Sequence, residues 1–194
     1  MKKDIILSGV GGQGILTIAT VIGEAATKAG LYLKQAEVHG MSQRGGDVQS
    51  NLRLSSQTIF SDLIPQGTAD MIISMEPMEA LRYVPYLNKD GWIITSDKPL
   101  INIPAYPEPK QLTDALNAMP RVLTLDIETK AKELAAPKSA NMILLGMAAK
   151  YLEIISPNEL RKAIDRVFAS KGEDIVLKNR VAFDEGLKTE PQKN

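Results

Sequence analysis

A three-layer α/β domain built on a mostly parallel, mixed sheet is predicted by three observations. Ile5-Ile6-Leu7 and Met71-Ile72-Ile73 are short continuous apolar runs, the pattern of strands covered on both faces. Segments with apolar residues spaced by three and four alternate with such runs, the pattern of amphipathic helices. Four glycines in six residues, GVGGQG at 9–14, join the first strand to the first helix.

The elements follow in order. Ile15, Ile18, Ala19, Ile22, Ala25, Ala26 and Ala29 carry the helical period, and Gly30 ends it. Residues 31–36 read as a second strand, followed by the irregular stretch EVHGMSQRGG at 37–46. Val48, Ser50, Leu52 and Leu54 alternate with polar residues, which predicts a half-buried strand in an antiparallel part of the sheet. Residues 71–74 form a buried strand, and Pro77 can open a helix over 78–87. Residues 92–95 are a strand again. Four prolines between Pro99 and Pro109 exclude a helix or central strand and predict an ordered surface connection. A short helix at 110–119 and a strand at 122–125 precede an almost wholly helical part to Gly186, with breaks near Pro137, Pro157 and Gly172. Residues 1–188 read as one domain, and the polar residues 189–194 as a disordered tail.

Composition narrows the function. The 194 residues carry 23 Lys+Arg and 23 Asp+Glu, so the formal net charge is +0, which argues against a nucleic-acid partner. The absence of cysteine removes disulfides, thiolate chemistry and the usual ligands of iron–sulfur clusters and structural zinc, so a redox metal is expected on another chain. MKKDIILSGV has too short an apolar stretch for a signal peptide or a spanning helix; no membrane association and a cytoplasmic location are the expectations.

The glycine loop supplies the first candidate site. Gly9, Gly11 and Gly14 satisfy G-x-G-x-x-G between a strand and a helix, the Rossmann-like context in which helix amides receive a phosphate. Glu37 lies roughly where a dinucleotide's ribose carboxylate is expected. The same glycines would also let the first helix pack closely on the sheet. Gly12 and Gln13 exceed what a nicotinamide cofactor requires, and that cofactor leaves HGMSQRGG at 39–46 unexplained. In that segment Arg44 stands beside Gly45 and Gly46, with Ser42 and Gln43 as neutral donors, so an anion can approach the backbone. His39 is the only histidine and has no cysteine or second histidine to form a triad or a metal site. The loop can bind, but it contains no bond-breaking machinery.

GVGGQG, EVHGMSQRGGDVQSNLR, ADMIISMEPMEALRY and SANMILLG, in this order, resemble the gamma-type subunit of the 2-oxoacid:ferredoxin oxidoreductases. Within that family the HGMSQRGG form is closest to the indolepyruvate enzymes. The resemblance implies a subunit of an oxygen-sensitive complex that decarboxylates aryl 2-oxo acids on thiamine diphosphate and passes electrons through iron–sulfur clusters to ferredoxin. Coenzyme A takes the acyl group. Thiamine diphosphate, its magnesium and the clusters are then expected on a large cysteine-rich partner, and this chain alone is expected to be inactive. No GDG-then-Asn-Asn arrangement is present here, and GED at Gly172 lies in a helical region. By analogy Gly9, Gly11, Gly12, Gln13, Gly14, His39, Ser42, Gln43, Arg44, Gly45, Gly46 and Asn141 are the candidates for holding coenzyme A. Two other functions stay open: a free-standing dinucleotide oxidoreductase using Glu37, and a non-catalytic nucleotide-sensing module.

The remaining conspicuous residues have structural readings. Glu76 and Glu79 flank Pro77 at a helix start, where carboxylates favour the dipole. Asn141 can cap a helix or serve as a buried hydrogen-bonder. Trp92, Tyr83 and Tyr86 are expected in a core or interface. Met71, Met75 and Met78 fit either core filling or an adaptable partner surface.

Overall fold

The computed structural model describes residues 1–39 and 45–191, with the backbone alone at His39. Strands β1 (Lys2–Val10), β2 (Tyr32–His39), β3 (Asp47–Ser55), β4 (Ala69–Ser74), β5 (Leu87–Ser96) and β6 (Val122–Leu125) form one sheet in the order β2-β3-β1-β4-β5-β6. β1, β4, β5 and β6 are parallel, with Ile5 opposite Met71, Ile72 opposite Ile93 and Ile93 opposite Val122. β3 runs antiparallel to β1 with Ile5 opposite Leu52, and β2 antiparallel to β3 at the sheet edge. The mixed sheet and the antiparallel placement of β3 are as the sequence predicts.

The apolar runs have the burial their pattern requires. Ile5, Ile6 and Leu7 are wholly buried, but their side chains serve two cores. Ile5 and Leu7 meet the larger layer, made by α1 (Ile15–Lys28), α4 (Ile127–Glu133), α5 (Ala140–Leu152), α6 (Pro157–Phe168) and α7 (Glu173–Gly186). Ile6, Ile72 and Ile93 face the smaller layer of α2 (Pro77–Arg82) and α3 (Pro109–Asn117). Each such side chain contributes about 1.5–3 kcal/mol by leaving water. Among the described residues, no helix is long and apolar enough to cross a membrane.

Helix α5 is the centre of the larger layer. Ten of its first eleven residues as far as Lys150, Ala140 to Ala149, are all buried, so the helix has no solvent face along that length. It crosses α7 where two glycines meet: a methyl on Gly146 would overlap the Phe183 carbonyl oxygen, and one on Gly186 the Ile143 carbonyl oxygen. Backbone-to-backbone contact leaves no flexible atom to give way. The opposite end of the sheet is held by Arg53, whose guanidinium grips buried Asp4 at 2.8 and 3.0 Å and also donates to the carbonyls of Ser61 and Leu63.

Some boundaries differ from the periodicity. The helix predicted over 78–87 ends at Arg82, because a 3-10 turn at Val84–Tyr86 containing Pro85 intervenes and Leu87 already belongs to β5. Met71 and Met75 are buried, so both fill core space and neither forms a partner surface. Trp92 stacks on Tyr151 with ring centroids 4.0 Å apart, and burial pushes the buried Tyr83 hydroxyl up to about 12. Glu190, in the predicted tail, pairs with Lys150 on α5. Residues 192–194 lie outside the described residues.

Two stability measurements follow from the helix geometry. Gly146→Ala should lose more than about 3 kcal/mol in urea unfolding, since the added methyl has only backbone to meet. The end of α4 gives the opposite sign. There Ala136 N–H donates to Ala131 and Ala135 N–H to Lys132, a Schellman closure that holds Ala135 at φ 52. Ala135→Gly should therefore raise stability by up to about 1 kcal/mol, the left-handed strain less the added chain entropy.

Candidate functional site

The parallel strands end at the turn of residues 11–14, and its geometry follows from its composition. Gly12 and Gly14 have φ of 103 and 82, the left-handed region that side chains disfavour. Gln13 closes the turn from inside: its Oε1 accepts from Val10 N–H at 2.7 Å, and its Nε2 lies 3.5 Å from the Met75 carbonyl at the end of β4. Gln13 thus shapes the loop rather than adding a free donor. Gly9 serves packing, since a methyl there would sit 3.0 Å from Gln13 Oε1 and 3.2 Å from Met75 Cβ.

The N-terminus of α1 is open. Gly14 is its N-cap and has no side chain to offer, the first turn has no carboxylate, and Gly12, Gly14, Ile15 and Leu16 N–H donate to no described residue. Three other helices have side-chain caps. Glu76 caps α2, Asp126 caps α4, and Ser156 with Glu159 forms a capping box on α6. Asn141 approaches the start of α1, donating from Nδ2 to the Gly14 carbonyl at 3.1 Å. A methyl on Gly14 would come within 2.7 Å of that nitrogen. Asn141 is 7% exposed, and its Oδ1 accepts from no described group.

Two further segments are drawn to the loop. Gly11 N–H donates to Gly46 O at 2.8 Å, and Gly45 N–H lies 3.4 Å from Gly11 O, so the β1–β3 ladder continues into the glycine turn. Asn102, in the proline-rich connection, donates to Gly45 O at 2.8 Å. Glu76 holds that connection down: its buried carboxylate accepts from Glu79 N–H, Leu100 N–H and the Tyr106 hydroxyl. Burial, then the bond to Glu76, raises the Tyr106 hydroxyl well above its usual range. Glu79 pairs with Arg82 through 2.9 and 3.1 Å bonds. Both carboxylates are therefore structural, as their position at the helix start predicts.

Together these elements enclose a cleft of about 1140 Å³. One wall is Gly11, Gly12, Gln13, Gly14 and Thr17; the facing wall brings Lys132, Lys138, Ser139, Asn141, Phe168, Ile175, Lys178 and Asn179 from four helices and a turn. Its charged lining is three lysines against Glu128. The sequence reading missed all three lysines, which belong to no motif. The one signal was local: Lys138 stands three residues before Asn141, which the sequence did single out. His39's side chain, Ser42, Gln43 and Arg44 lie outside the described residues.

Strand order removes the dinucleotide site. A ribose carboxylate must stand at the end of a strand beside β1. β3 intervenes here, so Glu37 sits on the outer strand β2, opposite Ser50, and does not line the cleft. The acid predicted by counting residues is one strand too far away.

Comparison with known proteins agrees with this arrangement. The family described as Pyruvate ferredoxin/flavodoxin oxidoreductase matches residues 4–189. Indolepyruvate oxidoreductase subunit IorB of Archaeoglobus fulgidus is 33% identical over 200 residues, covering 98% of each chain. Among solved structures, the keto/oxoacid ferredoxin oxidoreductase gamma subunit of Geobacter sulfurreducens superposes with a TM-score of 0.72 at 20% identity, over 97% of this chain and 96% of its own. A 2-oxoglutarate:ferredoxin oxidoreductase from Magnetococcus marinus, with 2-oxoglutarate, coenzyme A and succinyl-CoA bound, gives a TM-score of 0.74 at 23% identity. The likeness covers 96% of this chain but only 30% of that longer one. The α/β fold is thus that of the gamma subunits of oxoacid:ferredoxin oxidoreductases, and the chain belongs to the pyruvate ferredoxin/flavodoxin oxidoreductase family.

Proposed function

We propose that this chain is the accessory subunit of a cytoplasmic, oxygen-sensitive complex that oxidatively decarboxylates aryl 2-oxo acids, indolepyruvate above all, to the aryl-acetyl-CoA. In that reaction the 2-oxo acid loses carbon dioxide, two electrons pass to ferredoxin, and the acyl group joins the thiol of coenzyme A. The near-full-length relative that carries the indolepyruvate name supports the substrate. Thiamine diphosphate with magnesium supplies the decarboxylation chemistry, and iron–sulfur clusters the electron path, on a large cysteine-rich partner subunit; a chain with Cys 0 holds no such cluster through thiolates. Residues 1–188 act as one binding domain in this reading.

The observation that carries the binding role is the uncapped start of α1 opening into a large cleft beside buried Asn141. Amides of Gly12, Gly14, Ile15 and Leu16 suit a phosphate of coenzyme A, and the α1 dipole adds to their attraction. Asn141 Oδ1 is an acceptor, so it is satisfied by a hydroxyl or amide N–H, groups that coenzyme A carries. Gln13 and Asn141 hold the turn in shape. Gly45 and Gly46 are joined to Gly11, and in this reading the Arg44 guanidinium, next in sequence, adds a charge-assisted contact to the phosphate. A nucleotide-sensing module would share the cleft but would have no oxidoreductase partner.

Two measurements test this reading. A tagged chain purified without oxygen from its own host should bring down a large cysteine-rich protein together with indolepyruvate- and coenzyme A-dependent viologen reduction; a chain that elutes alone, with the activity left in the extract, refutes it. In the assembled complex Arg44→Ala should raise the KM for coenzyme A about tenfold, the loss of one charged hydrogen bond, with assembly intact. An unchanged KM removes Arg44 from the site.

A further inference from the structure

The cleft is larger and more positive than one phosphate needs. Its second positive region lies opposite the glycine turn, around the start of α5. There the N-cap Ser139 makes no side-chain capping bond and the first turn has no carboxylate. The positive end of a 13-residue helix therefore faces the cleft without an internal counter-charge. Lys138 precedes it directly, and Lys132 stands on the last turn of α4; neither has an ion-pair partner among the described residues, apart from the dipole of α4 that Lys132 also meets. Lys178 reaches the same cleft from α7, paired at 2.6 Å with the exposed Asp174.

Two independent features point to a ligand in this region. Asn141, second residue of α5, is more than nine-tenths buried, lines the cleft, and keeps Oδ1 without a partner. Its Nδ2 bond to Gly14 also fixes the distance between the start of α5 and the start of α1. Phe168 and Ile175 lie beside Lys178 on the same wall and offer an apolar surface to a flat ring.

We propose that Lys138 and Lys178, with the start of α5, form a second anion subsite that reads the 3′-phosphate of coenzyme A while α1 holds the diphosphate. The proposal rests on the coenzyme A reading of the cleft. Coenzyme A carries two separated anionic groups on one adenosine: the 5′-diphosphate and the 3′-monophosphate. Two helix starts, two sets of donors and an apolar wall between lysine-bearing elements match that distribution. A dinucleotide without a 2′- or 3′-phosphate has no second anion to place there. Specificity then comes from a charge that the correct cosubstrate alone supplies, since an analogue that lacks it forgoes the charged hydrogen bonds of both lysines.

The test compares coenzyme A with 3′-dephospho-coenzyme A as acyl acceptor in the assembled complex. The native complex should favour coenzyme A in kcat/KM by about tenfold or more, the worth of one or two charged hydrogen bonds. In Lys138→Gln/Lys178→Gln that ratio should fall towards one. Turnover with the dephospho form shows in the same experiment that the variant is folded and assembled. Equal use of the two acceptors by the native complex overturns the subsite, as does a double variant that keeps the native ratio. If those results come with an Arg44→Ala or Asn141→Leu complex whose KM for coenzyme A is raised, only the lysine subsite fails. If coenzyme A kinetics ignore every cleft residue, the coenzyme A reading fails with it.

Discussion

Helix α5 is the constraint around which the rest is arranged. Its sequence, ANMILLGMAAKYL, is apolar on all sides for most of its length, so it is stable only when other elements cover it completely. The sheet covers one side, and α1, α4, α6 and α7 the others. Complete cover requires α7 to approach until the two backbones touch, which Gly146 and Gly186 permit and no residue with a side chain would. Once α5 is seated, its first turn lies against the glycine loop. Asn141 then joins residues 127 positions apart, and the loop acquires its shape from a helix far along the chain.

Several departures from local stability lie at the cleft. α2, α4 and α6 are capped by their own side chains, each cap being worth about 1 kcal/mol, whereas α1 and α5 begin at the cleft with no side-chain cap. Ala135, on the same wall, occupies a left-handed conformation that usually belongs to glycine. Asn141 keeps a buried acceptor without a partner. Elsewhere Asp4 is matched by Arg53, Glu76 by three donors and Ser74 by the Glu76 carbonyl, while Asn51 Oδ1 has no hydrogen-bond partner among the described residues and Asp165 Oδ1 has only its 3.4 Å ion pair with Arg180.

Membership in the oxidoreductase family and the absence of cysteine give this chain a consistent part in the chemistry. The described residues of its cleft offer amides, lysines and apolar surface, groups suited to binding a ligand. Glu76, Glu79 and Tyr106, groups of the kind that acid–base work uses, are consumed in holding the 97–108 connection and the start of α2. The same connection fastens Gly45 through Asn102, so one buried carboxylate indirectly supports the floor of the cleft.

Sequence by itself determined the elements, because their periods report which faces are buried: the strands at Ile5 and Met71, the antiparallel alternation at Val48–Leu54, and the helical C-terminal part with its breaks at proline and glycine all formed as read. It also marked the glycine turn, since positive φ leaves a compositional trace, and a family whose motifs occur in order. Only the tertiary structure decided strand order, which separates Glu37 from β1 by a whole strand, because residue spacing along the chain says nothing about which strand lies between. The lysines of the cleft were equally hidden: Lys132, Lys138 and Lys178 read locally as helix-end or surface charges, and they converge only when α5 is packed against α7. A side chain's local setting fixes its conformation, but packing between distant elements fixes its neighbours, and binding depends on the neighbours.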